Sequence, residues 1–429
     1  MTLFKNTTKE QLLDKLQAEL NEHYAAGIPS FAQERLDEEI KHMTATGSEE
    51  KFLLSWALNE AAKERGHILH GNGAAVGSMI EFLLLQEQIN PLPAHYYCPS
   101  CGHFEMKSST MFGLDLPEKN CPECGTPLKK DGFRIPVEAV WRKGGTKKPS
   151  LDYFYSAGFL PFAFKTIEMF YAERNRSVIW GGAQRDDSAQ LYPSGVMVLP
   201  VGKKPENYPQ FMNRLVDGTP CFFGDYYEMQ QFGMEHLVLR ENRFMTILQQ
   251  MQMRTGVLFQ DITTEQLNGI SIRDMYQTTC ISTEERSAIQ ENQTTYQDVA
   301  NILTISHATF EENGERIAWQ EMMKRAEFLN CPLYCREDIF DYMIAAGYSC
   351  SGASRAMEMI GFGRGAQDAY VLQDVEIPAN LRKMAVNCFY LFPRSFGAQW
   401  LMATMRLAFY LKMDPDYFET VLGKSGENG

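Results

Sequence analysis

Two Cys-x2-Cys pairs constrain this chain more than any other feature. They occur in YYCPSCGHF and KNCPECGTPL, with 19 residues between the pairs. Four thiolates at this spacing can surround one tetrahedral zinc ion, and a fully cysteine-ligated shell leaves no position open for substrate. We therefore predict a structural zinc site, and we expect the flanking His95 and His103 to lie in solvent or behind the ligands. The predicted ligands are Cys98, Cys101, Cys121 and Cys124.

Composition narrows the class of protein further. The 429 residues, 44% of them hydrophobic, are enough for two or three compact domains. No secretory signal is visible and the apolar runs are too short to span a bilayer, so we expect a soluble cytoplasmic protein without a membrane partner. The net charge of -13 disfavours tight, nonspecific binding to duplex DNA. The six remaining cysteines are expected to be buried free thiols.

Hydrophobic periodicity predicts an α+β chain. Residues 8–65 have helical spacing, and a Gly-rich turn at 70–78 leads into the apolar helix MIEFLLLQEQ. Residues 91–136 are dense in Pro, Cys and Gly and are interpreted as an inserted metal module. Residues 150–260 mix helices with strands such as GVMVLPV and EHLVLR, and the chain from about 261 onward is expected to be helical.

Several long motifs, in order, resemble PolC-type DNA polymerase III alpha subunits. The zinc region NPLPAHYYCPSCGHFE is followed by YPSGVMVLPV, which resembles a His-Pro-Gly-Gly strand region. CREDIFDYMIAAGYSCSGASRAMEMIGFGRG and FYLFPRSFGAQWLMATMRLAFYLKMDP resemble the helical fingers. The resemblance covers only the core of the family, so we expect a truncated form without the family's exonuclease, PHP and OB domains.

The resemblance implies a fold and a domain order. The fold would be a nucleotidyltransferase-like palm, similar to that of polymerase beta, with an inserted zinc module and a mostly helical fingers domain. The implied domains are the palm's N-terminal helices and Gly-rich loop (1–95), the zinc module (96–136), the palm sheet with a shortened thumb (137–260) and the fingers-like domain (261–429).

The resemblance also implies a catalytic site, and here the chain departs from the family. Two-metal nucleotidyl transfer needs carboxylates around both ions. The family's Asp-x-Asp strand matches PSLDYFY, which leaves Ser150 and Asp152, and its third aspartate falls on Leu237 in MEHLVLR. Neither a hydroxyl nor an isobutyl group replaces an anionic ligand of Mg²⁺. Asp152 is therefore interpreted as a remnant, with Glu235 as a substitute ligand if the strand register shifts.

Other expected nucleotide and DNA contacts are incomplete. A family arginine in the Gly-rich loop corresponds to Asn72, between Gly71 and Gly73, and the thumb segment at 178–192 is much shorter than in the family. Four arginines keep positive charge in the fingers, and each is interpreted either as a nucleic-acid contact or as a salt bridge on the surface or between helices. They are Arg355, Arg364, Arg394 and Arg406.

Three hypotheses follow. The first is a PolC-like core that has lost polymerase activity and has a binding or regulatory role in DNA replication. Its partners would be DNA or replication proteins. The second is a minimal DNA-directed DNA polymerase in which Asp152 and Glu235 hold Mg²⁺. The third is a zinc-stabilised interaction module that does not bind nucleic acid. The sequence does not identify the partner or the oligomeric state.

Overall fold

The computed structural model describes residues 7–85, 89–107, 112–142, 144–184, 189–278, 280–292, 295–331, 333–367, 372 and 376–426. Parts of the predicted helix at 79–88 and of the thumb segment at 178–192 lie outside these residues. The α-helices are α1 (Lys9–His23), α2 (Ser30–Thr46), α3 (Glu49–Lys63), α4 (Met79–Leu85), α5 (Val137–Trp141), α6 (Leu160–Ala172), α7 (Tyr226–Gln231), α8 (Arg243–Thr255), α9 (Thr264–Leu267), α10 (Ile272–Met275), α11 (Thr283–Asn292), α12 (Tyr296–Ile305), α13 (Trp319–Phe328), α14 (Arg336–Ala345), α15 (Cys350–Gly361), α16 (Arg364–Gln367), α17 (Ala379–Ala385), α18 (Arg394–Met413) and α19 (Pro415–Gly426).

The strands form one large sheet and two small ones. The large sheet has seven strands in the order β1-β5-β10-β7-β6-β9-β8, and the small sheets have the orders β3-β2-β4 and β12-β11-β13. The strands are β1 (Leu69–Asn72), β2 (His95–Tyr97), β3 (Phe104–Met106), β4 (Lys129–Asp131), β5 (Asp152–Tyr155), β6 (Val178–Gln184), β7 (Leu191–Val198), β8 (Met212–Arg214), β9 (Pro220–Phe222), β10 (Glu235–Glu241), β11 (Thr309–Glu312), β12 (Glu315–Arg316) and β13 (Cys388–Tyr390).

The first three helices form because their apolar residues repeat at helical spacing. Leu12, Leu16 and Leu20 are all buried on one face of α1. Thr8 caps that helix, since its hydroxyl accepts from the Gln11 amide while the Gln11 side chain accepts from the Thr8 amide. The predicted helices over 8–65 are thus confirmed.

The large sheet has its main core on one face. Tyr153 and Tyr155 of β5 and Leu237 and Leu239 of β10 are buried in the same cluster as side chains of α3 and α6. The opposite face carries Phe154, whose ring lies 5.9 Å from that of Trp400 in α18. Helix α18 therefore covers part of the second face, and the end near Asp152 opens into a cleft.

The α+β prediction is confirmed, with local differences. The Gly-rich turn predicted at 70–78 begins as strand β1 and becomes helical only from Ala74. The region from 261 onward is mainly helical, but it also contains the small sheet of β11, β12 and β13. Among the described helices, none has an apolar stretch of the length that a bilayer crossing would need.

Candidate metal centre and the cleft around Asp152

Two matching turns place the four cysteines at one point. In the first turn the Cys98 amide donates to the His103 carbonyl at 2.8 Å, and in the second the Cys121 amide donates to the Thr126 carbonyl at 2.8 Å. Gly102 and Gly125 close these turns with φ of +74° and +78°, a conformation that glycine adopts without strain. The four Sγ atoms consequently lie within 4.8 Å of one another.

The spacing of these sulfurs fits a tetrahedral metal ion. Four thiolates at about 2.3 Å from zinc stand roughly 3.8 Å apart. Sγ of Cys98 is 3.4 Å from Sγ of Cys124, and Sγ of Cys101 is 3.6 Å from Sγ of Cys121. The four cysteines could therefore hold a metal such as zinc, and they are the one group of three or more metal-ligating side chains found this close together within the described ranges.

His95 lies in the interior beside the cysteine module, not in solvent. The side chain is 1% exposed, and Nδ1 donates to the Pro93 carbonyl at 2.8 Å while Nε2 lies 3.3 Å from the Tyr24 hydroxyl. Burial lowers the pKa of His95, against the opposing charge of Asp131, and so favours the neutral ring. His95 thus links β2 to α1, and the part played by His103 in the turn is that of its backbone carbonyl.

Asp152 lies at the start of β5, between the Gly-rich loop and β10. It is directly opposite Asn72 in the antiparallel pair of β1 and β5, so the Gly-rich loop borders the carboxylate. Burial raises the pKa of Asp152 to about 6, against the opposing effects of Arg240, Lys51 and a hydrogen bond from the Val238 amide. One half-buried carboxylate supplies only one of the several oxygen ligands that a divalent ion takes.

Ser150 precedes the strand and is bound to the Gly-rich loop. Its hydroxyl accepts from the Ala74 amide at 3.2 Å, and its carbonyl accepts from the Ala75 amide at 3.0 Å. Ser150, which the resemblance matches to the family's first aspartate, thus holds the loop against the strand.

The structure places Leu237, the residue matched to the family's third aspartate, on the buried face of the sheet. Strand β10 runs parallel to β5 with Leu239 opposite Tyr153, so Leu237 shares the buried face with these residues. Asp152 leaves the sheet on the other face, where Val238 lies beside it. Leu237 was assigned by sequence matching alone, without the sheet register that determines the face. The residue beside Asp152 in the sheet register is thus apolar.

Glu235 begins β10 and does not share the face of Asp152. It lies two residues before Leu237 and so projects from the core side of the sheet. Its carboxylate accepts from Nη2 of Arg176 at 3.0 Å, and Arg176 also lies 3.5 Å from Glu50. To act as a substitute ligand beside Asp152, Glu235 would have to leave Arg176 and change face.

Both acids nevertheless line one cleft, and three lysines line it with them. The cleft has a volume of 770 Å³. Lys51 reaches it from α3 and donates to the Pro149 carbonyl at 3.3 Å, while Lys147 and Lys148 come from the loop before β5. Sequence reasoning missed Lys51, which is distant along the chain, although the adjacent Lys147 and Lys148 were a visible signal.

The four fingers arginines separate into two groups. Arg355 and Arg364 are exposed. Arg394 is 3% exposed, and its Nη2 lies 3.1 Å from Asp338 Oδ1 and 2.8 Å from Asp341 Oδ2. It therefore forms a salt bridge between helices. Arg406 is 1% exposed, with its guanidinium 4.3 Å from the centre of the Phe259 ring. Neither buried arginine reaches a surface ligand.

This fold and site define an α+β protein in which a four-cysteine module is inserted between strands of a larger mixed sheet. Residues 10–150 match the family model of the bacterial DNA polymerase III alpha NTPase domain. The chain is also similar to three proteins named "DNA polymerase III PolC-type". It is 23% identical to that of Caldanaerobacter subterraneus subsp. tengcongensis, 23% to that of Bacillus subtilis and 22% to that of Staphylococcus aureus.

These alignments cover 93%, 90% and 95% of this chain, respectively. The resemblance to PolC-type DNA polymerase III that the motifs indicated is thereby confirmed. The chain spans about a third of the length of these curated relatives, with 32%, 31% and 32% of each covered.

Proposed function

We propose that this chain is a PolC-like core that does not extend primers and that has a binding or regulatory role in DNA replication. In this proposal the seven-stranded sheet is a nucleotidyltransferase-like palm, the four cysteines hold structural zinc, and residues 261–429 are the fingers. DNA or a replication protein would be the partner, as the family implies.

The main support for the proposal is the lack of further carboxylates on the face of the sheet around Asp152. Val238 lies beside it in the register of β10 and Ser150 is bound to the Gly-rich loop, so one carboxylate remains where two-metal transfer needs several. Lys51 and Arg240 contribute positive charge at the same carboxylate. Each of these features weakens Mg²⁺ binding.

A primer-extension assay tests the proposal. The purified chain would be incubated with a primed template, the four deoxynucleotides and either Mg²⁺ or Mn²⁺. We expect no extension above a matched Asp152→Asn control. Template-dependent extension that the Asp152→Asn variant lacks would contradict the proposal.

A minimal polymerase is the second candidate, because Asp152 and Glu235 line the same cleft. It requires both carboxylates to act on one pair of ions, although Glu235 is paired with Arg176. Adding Glu235→Gln to the extension assay tests this directly, since a minimal polymerase loses activity in both variants.

A nucleic-acid binding assay separates the first proposal from an interaction module without nucleic acid. If the exposed Arg355 and Arg364 contact phosphates, binding of primed DNA should weaken steeply between about 50 and 200 mM salt. It should also weaken on changing both arginines to glutamine. Absence of binding at low salt would instead favour the interaction module.

A further inference from the structure

The cations around Asp152 are the feature that the resemblance to a polymerase does not explain. The family implies Mg²⁺ at this face, and a hard divalent ion requires several oxygen ligands, usually carboxylates. The oxygen ligands available are one carboxylate and the Ser150 hydroxyl, which already accepts a hydrogen bond from the Ala74 amide. The other charged groups nearby include several lysines. The residues therefore do not fit the ion.

Arg240 projects from the same face as Asp152. In the parallel pair of β10 and β5 it lies opposite Phe154, two residues beyond Asp152, and side chains two apart share a face. It is exposed, and it forms no ion pair with any residue in the described ranges. Its guanidinium acts on the Asp152 carboxylate through its charge, which opposes the rise in the pKa of Asp152.

Lys51 approaches the same carboxylate from α3. Its ammonium is fixed by the Pro149 carbonyl, three residues before Asp152, and it also faces Glu235. Burial lowers the pKa of Lys51, while Glu235 and Asp152 oppose that effect, so the two acids help to keep the lysine charged. The charged and polar groups that line the cleft with Asp152, or lie on the strands paired with β5, include Lys51, Lys147, Lys148, Asn72, Glu235, His236 and Arg240.

We propose that Lys51 and Arg240 take the place of the divalent ion as the permanent cations of the Asp152 site, and that they exclude Mg²⁺ from this cleft. Positive charges that act on the same carboxylate repel a divalent cation, because the half-buried site screens charge less than water does. The inference rests on the proposed loss of polymerase activity, and it adds that restoring a lost ligand does not by itself restore metal binding.

Binding of Mn²⁺ to designed variants tests this inference. With the cysteine site first saturated with zinc, Mn²⁺ binding would be measured by electron paramagnetic resonance. Ser150→Asp restores a second carboxylate at the family position, and we expect its Mn²⁺ affinity to be no higher than that of the unmodified chain. Adding Lys51→Met and Arg240→Met should strengthen Mn²⁺ binding at least about tenfold, and a further Asp152→Asn should abolish it.

The matched control removes two cations elsewhere in the Ser150→Asp background. Lys63→Met lies on the same helix as Lys51, Arg325→Met lies on α13, and we expect no gain in binding. Circular dichroism and zinc content verify the fold of each variant. If the triple variant does not fold, Ser150→Asp with either cation change alone should show an intermediate gain.

Two results would overturn the inference. One is Mn²⁺ binding by Ser150→Asp as tight as that of the triple variant, and the other is no Asp152-dependent binding in any folded variant lacking Lys51 or Arg240. These measurements do not depend on catalysis. Failure of the proposed function would appear instead as primer extension by the unmodified chain.

Discussion

The hydroxyl of Ser150 accepts a hydrogen bond from the backbone amide of Ala74 at 3.2 Å. This contact and the adjacent one from the Ala75 amide join the segment before β5 to the Gly-rich loop. In a working two-metal polymerase a carboxylate at this position would be directed at the ions. Here Ser150 joins the loop to β5 through hydrogen bonds between protein groups.

Gly73 is expected to be essential to that contact. Its φ is +101°, and a Cβ atom there would lie 2.8 Å from the Ser150 carbonyl oxygen. Gly73→Ala combines backbone strain with overpacking, and we expect it to lower the free energy of unfolding by about 2–4 kcal/mol in urea titrations. Gly27→Ala is the control, since φ is +133° but no atom lies within 4 Å, and it should cost about 1 kcal/mol. Equal losses would refute the close contact.

Local signals were sufficient for some parts of the fold and not for others. The leucines of α1 and the cysteine spacing act within one segment, so the helix and the metal cluster could be predicted. The face on which Leu237 lies depends on how β10 pairs with β5, a register set by packing between distant segments. Lys51 could not be placed near Asp152 for the same reason, since about a hundred residues separate them.

Short strands were also beyond local prediction. Strand β13 has three residues and pairs with β11 far earlier in the chain, and β12 has two. Segments this short carry little periodicity, so their pairing is set by tertiary contacts. The small sheet in the predicted helical region was missed for this reason.

Arg394 should be important for the junction between α14 and α18. It is 3% exposed and pairs with Asp338 and Asp341. Arg394→Met leaves these carboxylates without their buried partner, and we expect unfolding free energy to fall by about 3–5 kcal/mol in urea titrations. The control is Arg325→Met, an exposed ion pair with an expected loss of about 0–1 kcal/mol. A small loss for Arg394→Met would show that the buried pair is dispensable.

The cysteine cluster should carry about one zinc per chain, measured by atomic emission on protein purified without added chelator. Cys121→Ser removes a buried ligand, and we expect zinc content to fall and the melting temperature to drop, because metal binding contributes directly to folding. Cys350→Ser is the control, since that thiol contacts Glu138 and lies outside the cluster. Zinc content unchanged in Cys121→Ser would contradict the four-cysteine site.

Lys147 gives a prediction for alkaline pH. Burial lowers its pKa to about 8, helped by Arg142, Arg336 and Arg364 and opposed by Glu358. Between pH 8 and the ordinary lysine pKa of 10.5 the unfolded chain therefore binds more protons than the folded one, so stability rises with pH across this window. Lys147→Met removes the cost of burying the charge. We expect it to raise the free energy of unfolding by about 1–2 kcal/mol at pH 7, after allowing for screening by solvent.

The pH profile distinguishes this cause from ordinary repacking. The gain in unfolding free energy from Lys147→Met should be full below pH 8 and shrink as the pH rises towards 10.5. It should vanish only above that pH, where Lys147 is neutral in both the folded and the unfolded chain. Urea titrations at pH 7, 8, 9 and 10 measure the difference directly. Lys165→Met, an exposed lysine on α6, should give a flat profile. A gain from Lys147→Met that stays constant with pH would mean that packing, not charge, causes the effect. The packing partner would be Phe362, whose ring centre lies 4.6 Å from the Lys147 ammonium.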